Sequence, residues 1–240
     1  MGQSYFIWKN KDCRSMGVKL GGPVAIVRPE ERVRHVEIPG RSGDLTETEG
    51  DDIYNSYIQT ATILVHGGYR ARNVFDWLRG SGYVTFSGEP DRKQAARIIG
   101  AVTLNKHSYN LDWWAGEVQF YCQPFKQLLN EAKVTITSSG ATVRNSGDVT
   151  CYPRITVNAV DAGQDITVTM GGKTLRINMT GMADTGCIID SETMMVTNYA
   201  GFANLTYLTS GEFPILAAGN NTVEITNVSS IVIQKRERYL

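Results

Sequence analysis

The chain has 240 residues, 42% of them hydrophobic, enough for one large core or two modest ones in a globular protein. Its formal net charge is zero. Residues 1–130 carry 16 Lys and Arg against 14 Asp and Glu, and residues 131–240 carry 8 against 10, so neither half is a basic surface for nucleic acid.

The opening, MGQSYFIWKNKDCRS, lacks the apolar run of a secretory signal, and no stretch reaches the roughly 20 apolar residues of a membrane helix. The expectation is a cytosolically made, reduced, soluble protein with no membrane insertion. Cys13, Cys122, Cys151 and Cys187 lie far apart without CxxC pairing, which argues against zinc and gives little support to disulfides. The sequons at Asn178, Asn204, Asn220 and Asn227 are read as strand-and-turn composition.

From residue 36 the chain reads VEIPGRSGDL, a strand followed by turn residues. Pro39 ends the strand and removes a donor, while Gly40 and Gly43 supply backbone freedom. Arg41 and Asp44 are expected to fix the turn by a charge-assisted hydrogen bond, within the subunit in preference to a neighbour. GRSGD is not a nucleophile elbow, because Gly43 and Asp44 stand where GxSxG needs a variable residue and a glycine. The acidic run Asp44, Glu47, Glu49, Asp51 and Asp52 lacks the order of a known calcium loop and reads as solvated.

Strands are expected at IQTATILVH, GYVTFS, ARIIGAVTLNKH and GEVQFYCQPF, all rich in β-branched and aromatic residues. In the last, Val118, Phe120 and Cys122 share a face. YRARNVFDWLRG interrupts them with Ala71, Val74, Phe75 and Leu78 at helical spacing, which predicts one amphipathic helix ended by Gly80. Trp113 and Trp114 point to opposite faces of a strand, so only one could offer a sugar platform, and packing in the core or at a subunit contact is preferred for the other. All four tryptophans precede residue 130, and the composition then shifts to Thr, Asn and Gly near QLLNEAK. Two domains are expected, 1–130 and 131–240.

Strict period-two alternation governs the second half. Ile155, Val157 and Ala159, then Ile166, Val168 and Met170, then Leu175, Ile177 and Met179, then Val223 and Ile225 each define one buried face. Turn signals recur at Ala162-Gly163, Gly171-Gly172, Gly211 and Gly219-Asn220. Many short antiparallel strands indicate a β-sandwich or jelly roll. GGKT, Gly171 to Thr174, imitates a phosphate loop, but Thr167 stands where the first glycine belongs, so a hairpin turn is expected. His35, His66 and His107 sit in predicted strands without metal-ligand spacing. The closing IVIQKRERYL, with Lys235, Arg236 and Arg238, reads as a solvent-facing last strand.

Taken in order, HVEIPGRSGDLTETEG, EVQFYCQPF, IIDSETMMV, GEFPILAAGNNTVEI and SSIVIQKRERYL resemble the distal tail protein family of long non-contractile-tailed bacteriophages, from about residue 35 to the C-terminus. The resemblance implies a mostly β fold: an N-terminal β-rich domain with one helix, and a C-terminal galectin-like, carbohydrate-module-like or jelly-roll sandwich. It implies a structural hub, usually a hexameric ring closed by the N-terminal domains. The ring joins the tail tube protein to the tail-tip or tail-associated protein in the virion tail. Receptor-binding proteins attach to the outer domain in some phages. Pro39, Gly40, Arg41, Gly43 and Asp44 become a structural turn or subunit contact. No catalytic residue, cofactor or metal is expected.

Two other readings compete. A carbohydrate-binding module would touch cell-wall sugars through Tyr152, Tyr199, Tyr207, Phe202 or Phe213, most of which are expected in the core because residues 131–240 hold no Trp. A cell-wall hydrolase would need a carboxylate pair or a nucleophile–base set that no motif presents.

Overall fold

The structure, a computed structural model, describes residues 4–48, 50–108, 111–159, 161, 163–181 and 185–240. Glu49 of the acidic run and Ala162 of the first turn signal lie outside the described residues. The fold is mostly β, with one short α-helix among the described residues. The chain divides into two compact units, Met1–Leu129 with Leu240, and Asn130–Tyr239.

The first unit is built on an eight-stranded antiparallel sheet. Across it run Lys11–Asp12, Phe6–Trp8, Ser81–Phe86, Arg92–Ile99, Trp113–Leu128, Tyr57–His66 and Val18–Leu20, with Leu104–Ser108 also paired to Trp113–Leu128. The 16-residue strand Trp113–Leu128 is the spine, paired from Trp113 to Cys122 with Tyr57–His66 and from Gln119 to Leu128 with Arg92–Ile99. The second register shifts between Cys122 and Lys126, around Pro124, which has no N–H to give a ladder. Val118, Phe120 and Cys122 are all buried on one face, as their alternation requires. ARIIGAVTLNKH, expected as one strand, is two: Arg92–Ile99 and Leu104–Ser108, separated at Gly100.

The helix Ala71–Trp77 covers this core, but its buried stripe differs from the expected one. Val74, Trp77 and Leu78 are buried, whereas Phe75 is 39% exposed. The shift follows from Trp77, whose ring stacks on Phe6 at 5.5 Å between centroids and whose indole bonds to Trp8. The set 74, 77 and 78 satisfies helical spacing as well as 71, 74, 75 and 78 does, so periodicity alone could not choose. The helix stops at Leu78, before Gly80.

The second unit is a β-sandwich of two five-stranded antiparallel sheets. One runs Val134–Ile136, Val228–Gln234, Arg154–Ala159, Gly186–Asp190, Met195–Asn198; the other runs Ala141–Asn145, Gly219–Thr226, Ile166–Met170, Lys173–Ile177, Thr209–Gly211. The alternating residues meet in one core, with Ile155, Val157 and Ile189 from the first sheet and Val168, Leu175 and Val223 from the second. Gly171 and Gly172, at φ 60° and 74°, form the two-residue turn that pairs Met170 with Lys173. GGKT is therefore a hairpin.

Candidate functional site

The stretch IPGRSGDL closes a separate two-stranded ribbon in which Val33–Glu37 pairs with Asp44–Thr48. The Arg41 N–H donates to the Ile38 carbonyl at 3.1 Å, with Pro39 and Gly40 between them and Gly40 at φ 82°. Pro39 presets the first central φ and Gly40 accepts the positive second one, which is the geometry of a type II turn. Gly43, at φ 79°, returns the chain to the second strand. Pro39, Gly40, Arg41, Gly43 and Asp44 are thus brought together at one exposed tip.

The anticipated Arg41–Asp44 bond is not formed; both side chains are exposed, and the backbone bond closes the turn instead. A side-chain tie across an exposed tip gains little against water and side-chain entropy.

The other candidate groups do not assemble. His35 lies beside Thr46 on the ribbon at 3.4 Å, and His66 packs edge-on to Trp113 at 5.0 Å. His107 borders an open cavity of about 650 Å³ with Thr62, Asn105, Lys106 and Glu117, where Glu117 is the only carboxylate among the described residues. Among the described residues no group of three His, Cys, Asp or Glu could hold a metal ion. All four cysteines are free and buried, and burial pushes the thiols of Cys122, Cys151 and Cys187 up to about 12. A thiol held neutral in this way is a packing group rather than a nucleophile. No helix among the described residues is long and apolar enough to cross a membrane.

Trp114 packs against the first core and its Nε1–H donates to Asp112 at 3.0 Å, while Trp113 faces outward under Lys19. In the second unit Phe202 is 93% exposed, Tyr207 77% and Tyr199 40%, whereas Tyr152 and Phe213 are half-buried. Most of these five were expected in the core. Phe202 and Tyr207 escape it because they lie in the loop and 3₁₀ turn after Met195–Asn198, outside the alternation that points side chains inward.

The C-terminal basic cluster is also not a solvent-facing strand. The strand ends at Gln234, and the residues after it form an ionic network. Arg236 donates to both carboxylate oxygens of Asp190, at 2.7 and 2.8 Å, and to Glu192 at 3.1 Å. The backbone N–H groups of Arg236 and Glu237 both donate to Glu131, each at 2.9 Å. Glu237, only 3% exposed, accepts from the Ser146 N–H and the Tyr239 hydroxyl, both at 2.7 Å, and from Lys235. The Arg236 hydrogen bonds hold the Asp190 carboxyl below its ordinary range. Burial would raise Glu237, but the bonds from Lys235, Ser146 and Tyr239 outweigh it and leave the group lowered. No local pattern could have paired residue 190 with 236.

No family model matches the chain, and no curated protein matches it. Solved structures do. Over 100% of both chains, at 18% identity and a TM-score of 0.81, the protein superimposes on SPP1 Dit (gp 19.1), described as a paradigm of hub adsorption apparatus in phages infecting Gram-positive hosts. It is more loosely similar to a chain of the phage P2 baseplate in its activated conformation with Ca, at 9% identity over 100% of both chains and a TM-score of 0.53. The same baseplate with Sr gives 9% identity, coverage of 97% and 98%, and a TM-score of 0.51. The sequence resemblance and the three-dimensional likeness agree: from end to end, this chain has the fold of the SPP1 Dit protein.

Proposed function

We propose that the protein is a structural, non-enzymatic hub at the distal end of a bacteriophage tail. In this reading residues 1–130 close a homo-hexameric ring and residues 131–240 form an outward-facing, galectin-like domain. The ring joins the tail tube protein to the tail-tip or tail-associated protein, and the outer domain is the place for receptor-binding proteins. The protein resides in the virion tail, without cofactor or nucleic acid.

The observation that carries this reading is the full-length likeness to a hub adsorption protein at a TM-score of 0.81. An exposed ribbon with no hydrophobic core of its own supports it, because such a ribbon is marginal in water until something packs against it. On this reading Pro39, Gly40, Arg41, Gly43 and Asp44 shape a tip that meets a neighbouring subunit.

Light scattering after size exclusion, across a concentration series, tests the assembly. Six copies of a 26.5 kDa chain give about 159 kDa. A monomer at every concentration would remove support for self-assembly without the tube.

The exposed Phe202 and Tyr207 favour a second reading, in which the sandwich touches cell-wall sugars by aromatic stacking. A glycan screen of wild type against the Phe202→Ala/Tyr207→Ala double variant separates the two. Sugar binding lost in the variant supports the second reading, and no binding by wild type dismisses it.

A further inference from the structure

A pocket of about 460 Å³ opens on the first unit between Arg14, Gly17, Lys19, His66, Arg70 and Trp113, with Val18 at its base. Among the described residues no carboxylate lines it. Asp12 meets the charge of Arg14 through bonds of 3.0 and 3.1 Å to its Nε. Lys19 and Arg70 form no ion pair among the described residues. The Lys19 ammonium lies 5.2 Å from the Trp113 ring centre, and Arg70 donates its Nε–H to the Tyr69 hydroxyl at 3.0 Å. Two cations therefore face one cavity with only neutral partners, a setting that attracts an anionic group.

The walls are held by regular structure. Lys19 pairs across the sheet with Leu64, and Trp113 pairs with His66. Gly17, at φ 72°, closes the turn Cys13–Met16, and a Cβ there would stand 2.5 Å from an Arg70 guanidinium nitrogen. A side chain at residue 17 would push the Arg70 guanidinium from its place over this turn.

The ribbon carries the opposite need. Glu37 and Asp44 are directly opposed in its register, and like charges at opposed positions destabilise a strand pair. Both are exposed and neither forms an ion pair among the described residues. Arg34 and Glu47 are opposed to each other three residues along, on the other face of the ribbon, and Arg41 makes no bond to either Glu37 or Asp44.

We infer that the Glu37–Asp44 pair of a second copy of this chain seats in the Arg14–Lys19–Arg70 pocket. The contact joins two different patches, so it is head-to-tail and is of the kind that closes a ring. It rests on the hub reading above and names the residues through which that ring forms.

Charge reversal with rescue tests it on the full-length chain. Lys19→Glu/Arg70→Glu and Glu37→Lys/Asp44→Lys are each expected to raise the concentration for half-assembly at least tenfold. Below the wild-type concentration for half-assembly, where all the proteins are monomeric, their melting temperatures are expected to equal the wild-type value, which separates lost contact from lost fold. An equimolar mixture is expected to regain the wild-type mass, because each reversed pocket then meets a reversed ribbon. An oligomeric wild type whose mass neither reversal alters overturns this contact and leaves the hub standing. Reversals that weaken assembly without rescue in the mixture also overturn the pairing. A wild type that is monomeric throughout overturns the contact and self-assembly together.

Discussion

Trp8 and Trp77 exchange hydrogen bonds: each indole Nε1–H donates to the other residue's backbone carbonyl, both at 3.2 Å. The two residues are 69 apart in sequence, and this reciprocal pair ties the only α-helix of the described residues to the first strand. Phe6 stacks on Trp77, and Phe120 meets both Phe6 and Trp8 edge-on at 5.4 and 5.6 Å. Trp77→Phe keeps a ring over Phe6 but removes one buried donor, and is expected to destabilise the fold by about 1–3 kcal/mol. Trp77→Ala also opens a cavity and is expected to cost about 3–5 kcal/mol. Denaturant unfolding checks both, and a Trp77→Phe variant as stable as wild type would discount the indole bond.

The Asp190–Arg236 pair predicts an acid response. Asp190 titrates below its ordinary 3.8 and Glu237 below 4.5. A carboxylate lowered by folding adds stability that is present above the unfolded value and lost as pH falls through the folded one. Melting temperature is therefore expected to drop as pH goes from about 5 to 3. Asp190→Asn is expected to be less stable at neutral pH and to show a shallower drop. Equal slopes in the two proteins would place the acid sensitivity elsewhere.

At the alkaline end the sign reverses. Three buried thiols stand at about 12 against an ordinary 9.0, and the Tyr57 hydroxyl, buried and bonded to Gln94, stands at about 12 against 10.0. Raised groups contribute stability below the unfolded value and lose it as pH climbs toward the folded one, so the protein should weaken steadily above about pH 9. At neutral pH an alkylating thiol reagent is expected to label none of the four cysteines in native protein and all four after unfolding. Rapid native labelling would contradict their burial.

Two adjacent glycines should respond differently to substitution. A Cβ at Gly171 would stand 2.4 Å from the Ile215 carbonyl oxygen, whereas one at Gly172 meets nothing within 4 Å. Both have positive φ, which Asn tolerates better than most residues. Gly172→Asn is expected to cost under about 1 kcal/mol, and Gly171→Asn about 2 kcal/mol or more through the clash. Thermal melts of the two variants decide it, and equal losses would refute the steric argument.

Arg41 has no bond to Asp44 that its loss would break. Arg41→Ala is expected to leave the unfolding free energy within about 0.5 kcal/mol of wild type. If the ribbon tip meets a neighbour as proposed, the same variant weakens assembly in light scattering. An unchanged oligomer would remove Arg41 from the contact.

The residue order alone determined the local features. Alternation at Ile155, Val157 and Ala159 or at Ile166, Val168 and Met170 states which face is buried, since side chains two apart must share a side. Gly171-Gly172 likewise states a hairpin. Tertiary structure decided whatever depends on a partner far along the chain. It turned the helix toward Trp8, placed Arg236 against Asp190, left Phe202 in solvent and gathered Lys19, His66 and Arg70 around one pocket. Backbone geometry repeats every two or 3.6 residues and can be read from a short window. Contacts across 46 or 69 residues are set by how whole sheets close, and no short window contains them.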